Sequence, residues 1–157
     1  MTNSNDLLVD VQDLQVNFYL HEGTVHALDG VSFQLREGKT LGEIGESGSG
    51  KTITAQALMG IVPSPPGKVQ GQVLLYLRND TNVNVVNVTE MKSNSAEIRA
   101  IRGKEIGMIF QEPMTSFSPV HTIGSQIMEA LQIHNPNVSK TEARERAIAM
   151  MCRVGIP

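Results

Sequence analysis

Gly45-Glu46-Ser47-Gly48-Ser49-Gly50-Lys51-Thr52 decides how this chain is read. A glycine, four residues, then Gly-Lys-Thr is the spacing of a loop that wraps a phosphate group. Glycines let the backbone approach a phosphate closely and turn successive N–H groups inward. A helix that starts at the end of the loop adds the positive end of its dipole. Lys51 has the charge and reach to meet β- and γ-phosphate oxygens, and the Thr52 hydroxyl can ligate Mg2+. A flexible Gly/Ser linker would share the composition but not the flanks. An apolar segment with Thr40, Leu41 and Ile44 precedes the loop, and a helix-compatible run, Ile53 to Met59, follows it and stops at Gly60. Glycine is a common residue just past a helix end. Strand, loop and helix together form the context that a nucleotide-binding loop requires.

Composition sets outer bounds. The 157 residues, 40% of them hydrophobic, suit one domain or a piece of a larger one. A formal net charge of -3 argues against a generalised nucleic-acid surface. No apolar run approaches the ~20 residues of a membrane span. The start, Met1 to Asp6, lacks the basic and apolar parts of a signal peptide. Cys152 is the single cysteine, so no intrachain disulfide can form. These features fit a cytosolic protein. Cys152 lies in an apolar helical run and reads as a packing residue. The histidines, His21, His26, His121 and His134, are spaced unlike metal ligands.

Along the chain, partial alternation from Leu7 to Tyr19 suggests a strand pair or a bulged strand. His21-Glu22-Gly23 is a turn, and Val25 to Leu35 a second strand region. The loop strand and its helix follow. Pro63-Ser64-Pro65-Pro66-Gly67 is a break. Gln72 to Leu77 and Asn84 to Val88 read as strands joined by a polar turn at Arg78 to Asn82. Ser93 or Ser95 can cap a short helix that ends near Arg102-Gly103. Gly107 to Phe110 reads as an apolar strand. Ile123 to Ile133 and Thr141 to Val154 read as helices. The first recurs at Ile123, Ile127 and Leu131; in the second, Ala143, Ala147, Met150, Met151 and Val154 share a face.

Gly107-Met108-Ile109-Phe110-Gln111-Glu112-Pro113-Met114 is the second informative stretch. A strand that ends in a polar amide and meets a proline delivers that amide to a fixed point. Glutamine carries both an acceptor and a donor, so Gln111 can ligate Mg2+ and orient an attacking water. Alone, it also reads as an ordinary residue at a strand end. Together with the first loop, Phe-Gln-Glu-Pro-Met-Thr-Ser-Phe-Ser-Pro from Phe110 and Ala27-Leu28-Asp29-Gly30-Val31-Ser32-Phe33 resemble the ATP-binding subunit of ABC transporters, in particular the dipeptide/oligopeptide importer branch. The resemblance runs from about Leu7 to the chain end. It implies an α/β fold of the P-loop NTPase type, with an antiparallel β layer and the start of a helical subdomain. Residues 1–118 would form the nucleotide-binding core with that layer, and residues 119–157 the beginning of the helical part.

The resemblance also implies a function: ATP binding and hydrolysis that energise import of peptides or related solutes. ATP and Mg2+ are the implied cofactors. Gly45, Glu46, Ser47, Gly48, Ser49, Gly50, Lys51 and Thr52 would hold ATP, with Lys51 and Gln111 catalytic and Thr52 and Gln111 on the metal. Phe18 stands where the family carries an aromatic against adenine, with Tyr19 the alternative register. The implied partners are membrane permease subunits and a second ATP-binding subunit, with an extracytoplasmic solute-binding protein acting indirectly. The implied location is the cytoplasmic face of the membrane. Nucleic acid is not expected.

The family pattern is followed only in part. It also calls for a Leu-Ser-Gly-Gly-Gln-type signature, an apolar strand ending in Asp-Glu, and a switch histidine. After Thr52 the only Asp is Asp80, set off from Val73 to Leu77 by Arg78 and Asn79. The chain therefore reads as the N-terminal half of such a subunit. Its rival is a truncated, non-hydrolysing remnant that binds nucleotide or permease only. An unrelated GTPase is disfavoured, because no Asn-Lys-x-Asp occurs. Glu43 is a departure as well: the resemblance implies an aliphatic residue there, in a strand buried on both faces, where an unpaired carboxylate is costly.

Overall fold

The computed structural model describes residues 6–79, 82–112 and 117–156. They form two compact units, the first ending at Glu105 and the second starting at Ile106.

The first unit is built on one antiparallel sheet of four strands in the order β2-β1-β3-β4. β1 spans Leu7–Leu20, β2 Gly23–Arg36, β3 Gly67–Arg78 and β4 Val83–Asn87. β1 and β2 close through a turn at His21 and Glu22, with Leu20 opposite Gly23. β1 is the central strand and is apolar on its core face. Leu7, Val9, Val11, Leu14 and Val16 are all buried, with Val73 and Leu75 of β3 opposite Val11 and Val9. Burying side chains of this size contributes roughly 1.5–3 kcal/mol each. The core is completed by Leu28, Ala57, Val62, Val88, Ile98 and Ile101.

β1 is a bulged strand rather than two strands. Between Gln12 and Gln15 the pairing with β3 advances three residues on one side and two on the other. Asp13 takes a positive φ of 46°, and its N–H donates to Ser32 Oγ at 2.9 Å. The insertion lets Leu14 return to the core at 0% exposure. Gly71 faces the bulge at φ 84°.

Helix α1, Lys51–Leu58, lies against β2 and β3. Its end is a Schellman arrangement: Gly60 N–H donates to Ala57 O at 3.0 Å, and Ile61 N–H to Gln56 O at 2.9 Å. Helix α2, Ala96–Ile101, is capped by Ser95, whose Oγ accepts from Ile98 N–H at 3.4 Å. A single 3-10 turn, Val88–Glu90, follows β4.

Two expected strands are absent. Residues 39–46 and 107–110 carry no strand, although both are rich in β-forming side chains. A strand needs a hydrogen-bonded neighbour, and among the described residues neither segment has one. Their apolar side chains are correspondingly open, Ile44 at 98% and Ile109 at 96% exposure. Glu43 is therefore exposed and not buried between two faces.

The second unit is a pair of packed helices, α3 (Ile123–His134) and α4 (Lys140–Arg153). Thr122 caps α3 and Ser139 caps α4 through their side-chain oxygens. Gln126 fastens the preceding loop, bonding Ser118 through both its amide and its carbonyl and donating to His121 O at 3.0 Å. On α4 the buried positions are Ala143 and Ala147, small residues one turn apart that let α3 approach. Of the rest of the expected face Met151 is half-buried, while Met150 is 52% and Val154 66% exposed. Cys152 is exposed too, so it is not the packing residue expected of it. The loop residues Pro113 and Met114, and Asp80, lie outside the described residues.

The bulge gives a sharp test of the sheet. A Cβ on Gly71 would lie 2.6 Å from the carbonyl carbon of Asp13, and its φ is one that L residues avoid. Gly71→Ala is expected to destabilise the chain by at least about 2 kcal/mol in urea unfolding. An unchanged midpoint would show that β1 and β3 pair without the bulge.

Candidate phosphate-binding site

The loop from Gly45 to Thr52 is set by what lies beneath its last glycine. Gly50 is the N-cap of α1, at φ 95° and ψ -5°. A Cβ there would stand 2.6 Å from Leu28 Cδ2 and 2.9 Å from the Ala27 carbonyl oxygen. The start of α1 therefore rests on β2 at a point where a side chain has no room. The loop also closes on itself. A Cβ on Gly45 would meet Ser49 Oγ at 2.5 Å, and Ser49 N–H donates to Glu46 O at 3.3 Å.

No side chain caps α1. Helices α2, α3 and α4 each have a serine or threonine oxygen in that role. The first-turn N–H groups of α1 thus have no internal acceptor, and the first turn contains no acidic residue. Exposed donors at the positive end of a helix are the arrangement that binds an anion.

Lys51 folds back over this end. Its Nζ donates to Gly45 O at 2.8 Å, Glu46 O at 2.6 Å and Ser49 Oγ at 3.0 Å. An ammonium has three protons, and all three are taken. The Lys51 ammonium is therefore not a bare charge: an anion arriving there would have to exchange for these oxygens. Thr52 is exposed in the first turn and makes no hydrogen bond through its hydroxyl among the described residues. Gly45, Glu46, Ser47, Gly48, Ser49, Gly50, Lys51 and Thr52 form one continuous loop and helix start, exposed except at the half-buried Gly50 and Lys51.

The other expected site residues lie on other segments of the chain. Phe18 is half-buried near the end of β1, opposite Gly67 of β3. A Cβ on Gly67 would meet Phe18 Cε1 at 3.0 Å, so the ring covers that glycine. Tyr19 is 53% exposed. Gln111 is exposed and belongs to the second unit. Among the described residues, no group of three His, Cys, Asp or Glu side chains could hold a metal ion.

Glu43 lies on the flank of α1. Its Oε1 is 3.5 Å from the Thr54 hydroxyl, which also donates to Gly50 O at 3.2 Å. Both residues border an open cleft of about 370 Å³, whose walls include Val9, Phe33, Leu35, Leu41 and Leu58.

Arg102 was not foreseen from the sequence. Its Nε donates to Met59 O at 2.8 Å, its Nη1 to Ser93 O at 3.0 Å, and its Nη2 to Gly60 O. The guanidinium thereby caps the C-terminal carbonyls of α1, where a cation also meets the negative end of the dipole. Nothing local marks an arginine more than forty positions away as the cap.

Comparison with known proteins bears on the family and the fold. Residues 28–157 match the ABC transporter family. The chain is 44% identical over 96% of its length to a probable peptide ABC transporter ATP-binding protein, y4tR, of Sinorhizobium fredii, spanning 42% of that protein. It is 43% identical over 96% of its length to the oligopeptide transport ATP-binding protein OppD of Bacillus subtilis, spanning 39% of it. The chain thus spans about two fifths of the length of these relatives. In three dimensions it matches the ATP-binding cassette MJ0796, solved as a dimer in a post-hydrolysis state with ADP and Pi. The TM-score is 0.73 and the identity 22%, over 92% of this chain and 56% of that one. That likeness establishes the fold.

The arginine cap can be weighed directly. Arg102→Met keeps the apolar stem and leaves three carbonyls without their donor. Bonds from a charged donor are worth about 1.5–3 kcal/mol, so a loss of about 2 kcal/mol in urea unfolding is expected. Arg102→Lys is expected to recover part of it. Equal stability of all three proteins would remove Arg102 from any role in holding α1.

Proposed function

This chain belongs to the ABC transporter family, and on that premise we propose that it binds Mg·ATP as the nucleotide-binding part of a subunit that energises peptide import. The observation that carries the reading is the uncapped start of α1 with Lys51 folded over it. Main-chain N–H groups at the end of the loop donate to phosphate oxygens. Lys51 redirects its hydrogen bonds from Gly45 O, Glu46 O and Ser49 Oγ to oxygens of the β- and γ-phosphates, and stays protonated. Mg2+ would neutralise phosphate charge, and the Thr52 hydroxyl and Gln111 are the residues that would hold it. Phe18, or Tyr19 in the neighbouring register, offers the ring for adenine.

The solute is inferred from the relatives, whose names refer to peptides and oligopeptides. A membrane permease and a second ATP-binding subunit are the proposed partners, with a solute-binding protein acting through the permease. The proposed location is the cytoplasmic face of the membrane; no helix among the described residues is long and apolar enough to cross it. Residues 1–118 are assigned to the nucleotide-binding core and residues 119–157 to the start of the helical subdomain.

A second reading is that these 157 residues bind nucleotide or permease without turnover. It is favoured by one observation. After Thr52 the only Asp is Asp80, and no apolar strand ending in a carboxylate follows the loop. Binding the ground state does not lower the barrier to phosphoryl transfer. That step needs a positioned water and groups that meet the charge developing on the γ-phosphate.

Two measurements separate the readings. In calorimetric titration the chain is expected to bind Mg·ATP weakly, and Lys51→Ala to weaken it at least about tenfold. Unchanged affinity would overturn the role of Lys51. In a phosphate-release assay the 157-residue chain is expected to show no turnover above background. A rate of about one per second that disappears in Lys51→Ala would reveal a catalytic base elsewhere in the chain.

A further inference from the structure

Two residues before the phosphate loop, the chain sets a negative charge against the helix that the loop feeds. The Glu43 carboxylate approaches the Thr54 hydroxyl at 3.5 Å, and Thr54 is 2% exposed on the second turn of α1. The same hydroxyl reaches Gly50 O at 3.2 Å, and the Thr54 N–H donates to that oxygen at 2.8 Å. The hydroxyl has one proton, which the nearer Gly50 carbonyl and the carboxylate share, so the Glu43 contact is the weaker of the two. Among the described residues no cation pairs with Glu43, although Lys39 borders the same cleft. α1 has no acidic residue in its own first turn. Glu43 supplies from outside the charge that the helix lacks.

We infer that Glu43 tunes which phosphate ligands the loop accepts, by opposing each in proportion to its charge. The inference rests on the reading that the loop binds phosphate. A carboxylate near a helix N-terminus stabilises the empty helix. The same charge repels an anion arriving at that terminus, and the penalty grows with the ligand's charge. Glu43 is exposed, so the repulsion passes through water and salt and stays modest. The result is a loop that holds nucleotide loosely at low ionic strength and discriminates against the more highly charged form.

The test uses the full chain with Glu43→Gln and Glu43→Lys, titrated with Mg·ATP and Mg·ADP at low and at high salt. Glutamine keeps an oxygen for Thr54 and removes the charge; lysine reverses it. At low salt Glu43→Gln is expected to tighten Mg·ATP about threefold and Glu43→Lys more. The gain for Mg·ADP is smaller, and both gains fade in about 0.5 M salt, where the Debye length falls to about 4 Å. A packing effect would follow neither ligand charge nor salt. Equal affinity across the series, or gains of the same size for both nucleotides and at both salt levels, overturns the inference. If Lys51→Ala governs binding while the Glu43 series is flat, this inference alone falls. If Lys51→Ala changes nothing, the phosphate-binding reading falls and takes it along.

Discussion

The contact of Gly50 with Ala27 and Leu28 is the constraint on which the rest of the site depends. The left-handed backbone of Gly50 starts α1, and only a missing Cβ lets that start lie on β2. The antiparallel sheet is therefore the foundation of the loop, besides carrying the proposed adenine contact at Phe18 or Tyr19. β2 is held in turn by β1, whose core face is buried from Leu7 to Val16. At its other end α1 is fixed by the Gly60 and Ile61 bonds and by Arg102. A helix tied at both ends presents its first-turn donors at a set position. That is the preorganisation an anion site needs, since donors that must be gathered on binding cost part of the binding energy.

Much of this was legible in the sequence, for local reasons. Phosphate loops, helix caps and tight turns are decided by residues within a few positions of each other. The helix end at Gly60 and the turn at His21-Glu22 are legible in this way. For the cap of α2 the sequence offers Ser93 or Ser95, and for Leu7 to Tyr19 a strand pair or a bulged strand; the structure selects Ser95 and the bulge. What failed was non-local. Thr40 to Ile44 and Gly107 to Phe110 have the composition of strands, but a strand is a relation between two segments. Without a paired neighbour among the described residues, propensity has nothing to act through. The side chains that a sheet would cover, Ile44 and Ile109, stand open instead.

Arg102 and Glu43 show the same limit for side chains. Arg102 follows a short helix and looks like any surface arginine, yet its partners are carbonyls at Met59 and Gly60. Glu43 looked like a buried liability on the assumption that its strand was formed. Exposed beside Thr54, it is a surface charge near a helix end with no cation paired to it among the described residues. Met150, Cys152 and Val154 failed in the other direction. A helical stripe shows which residues can face a partner, but not how far along the helix the partner reaches.

The two-residue turn between β1 and β2 also bears on how the chain is made. β2 pairs with β1 through this turn, β3 then lies on the other edge of β1, and β4 on the outer edge of β3. Each new strand meets an edge that has already left the ribosome, so the sheet can grow in the order of synthesis. The segment carrying Gly45 to Thr52 follows β2, the strand that carries Ala27 and Leu28. Vectorial growth of this kind keeps exposed strand edges short-lived while the nascent chain is most prone to aggregate.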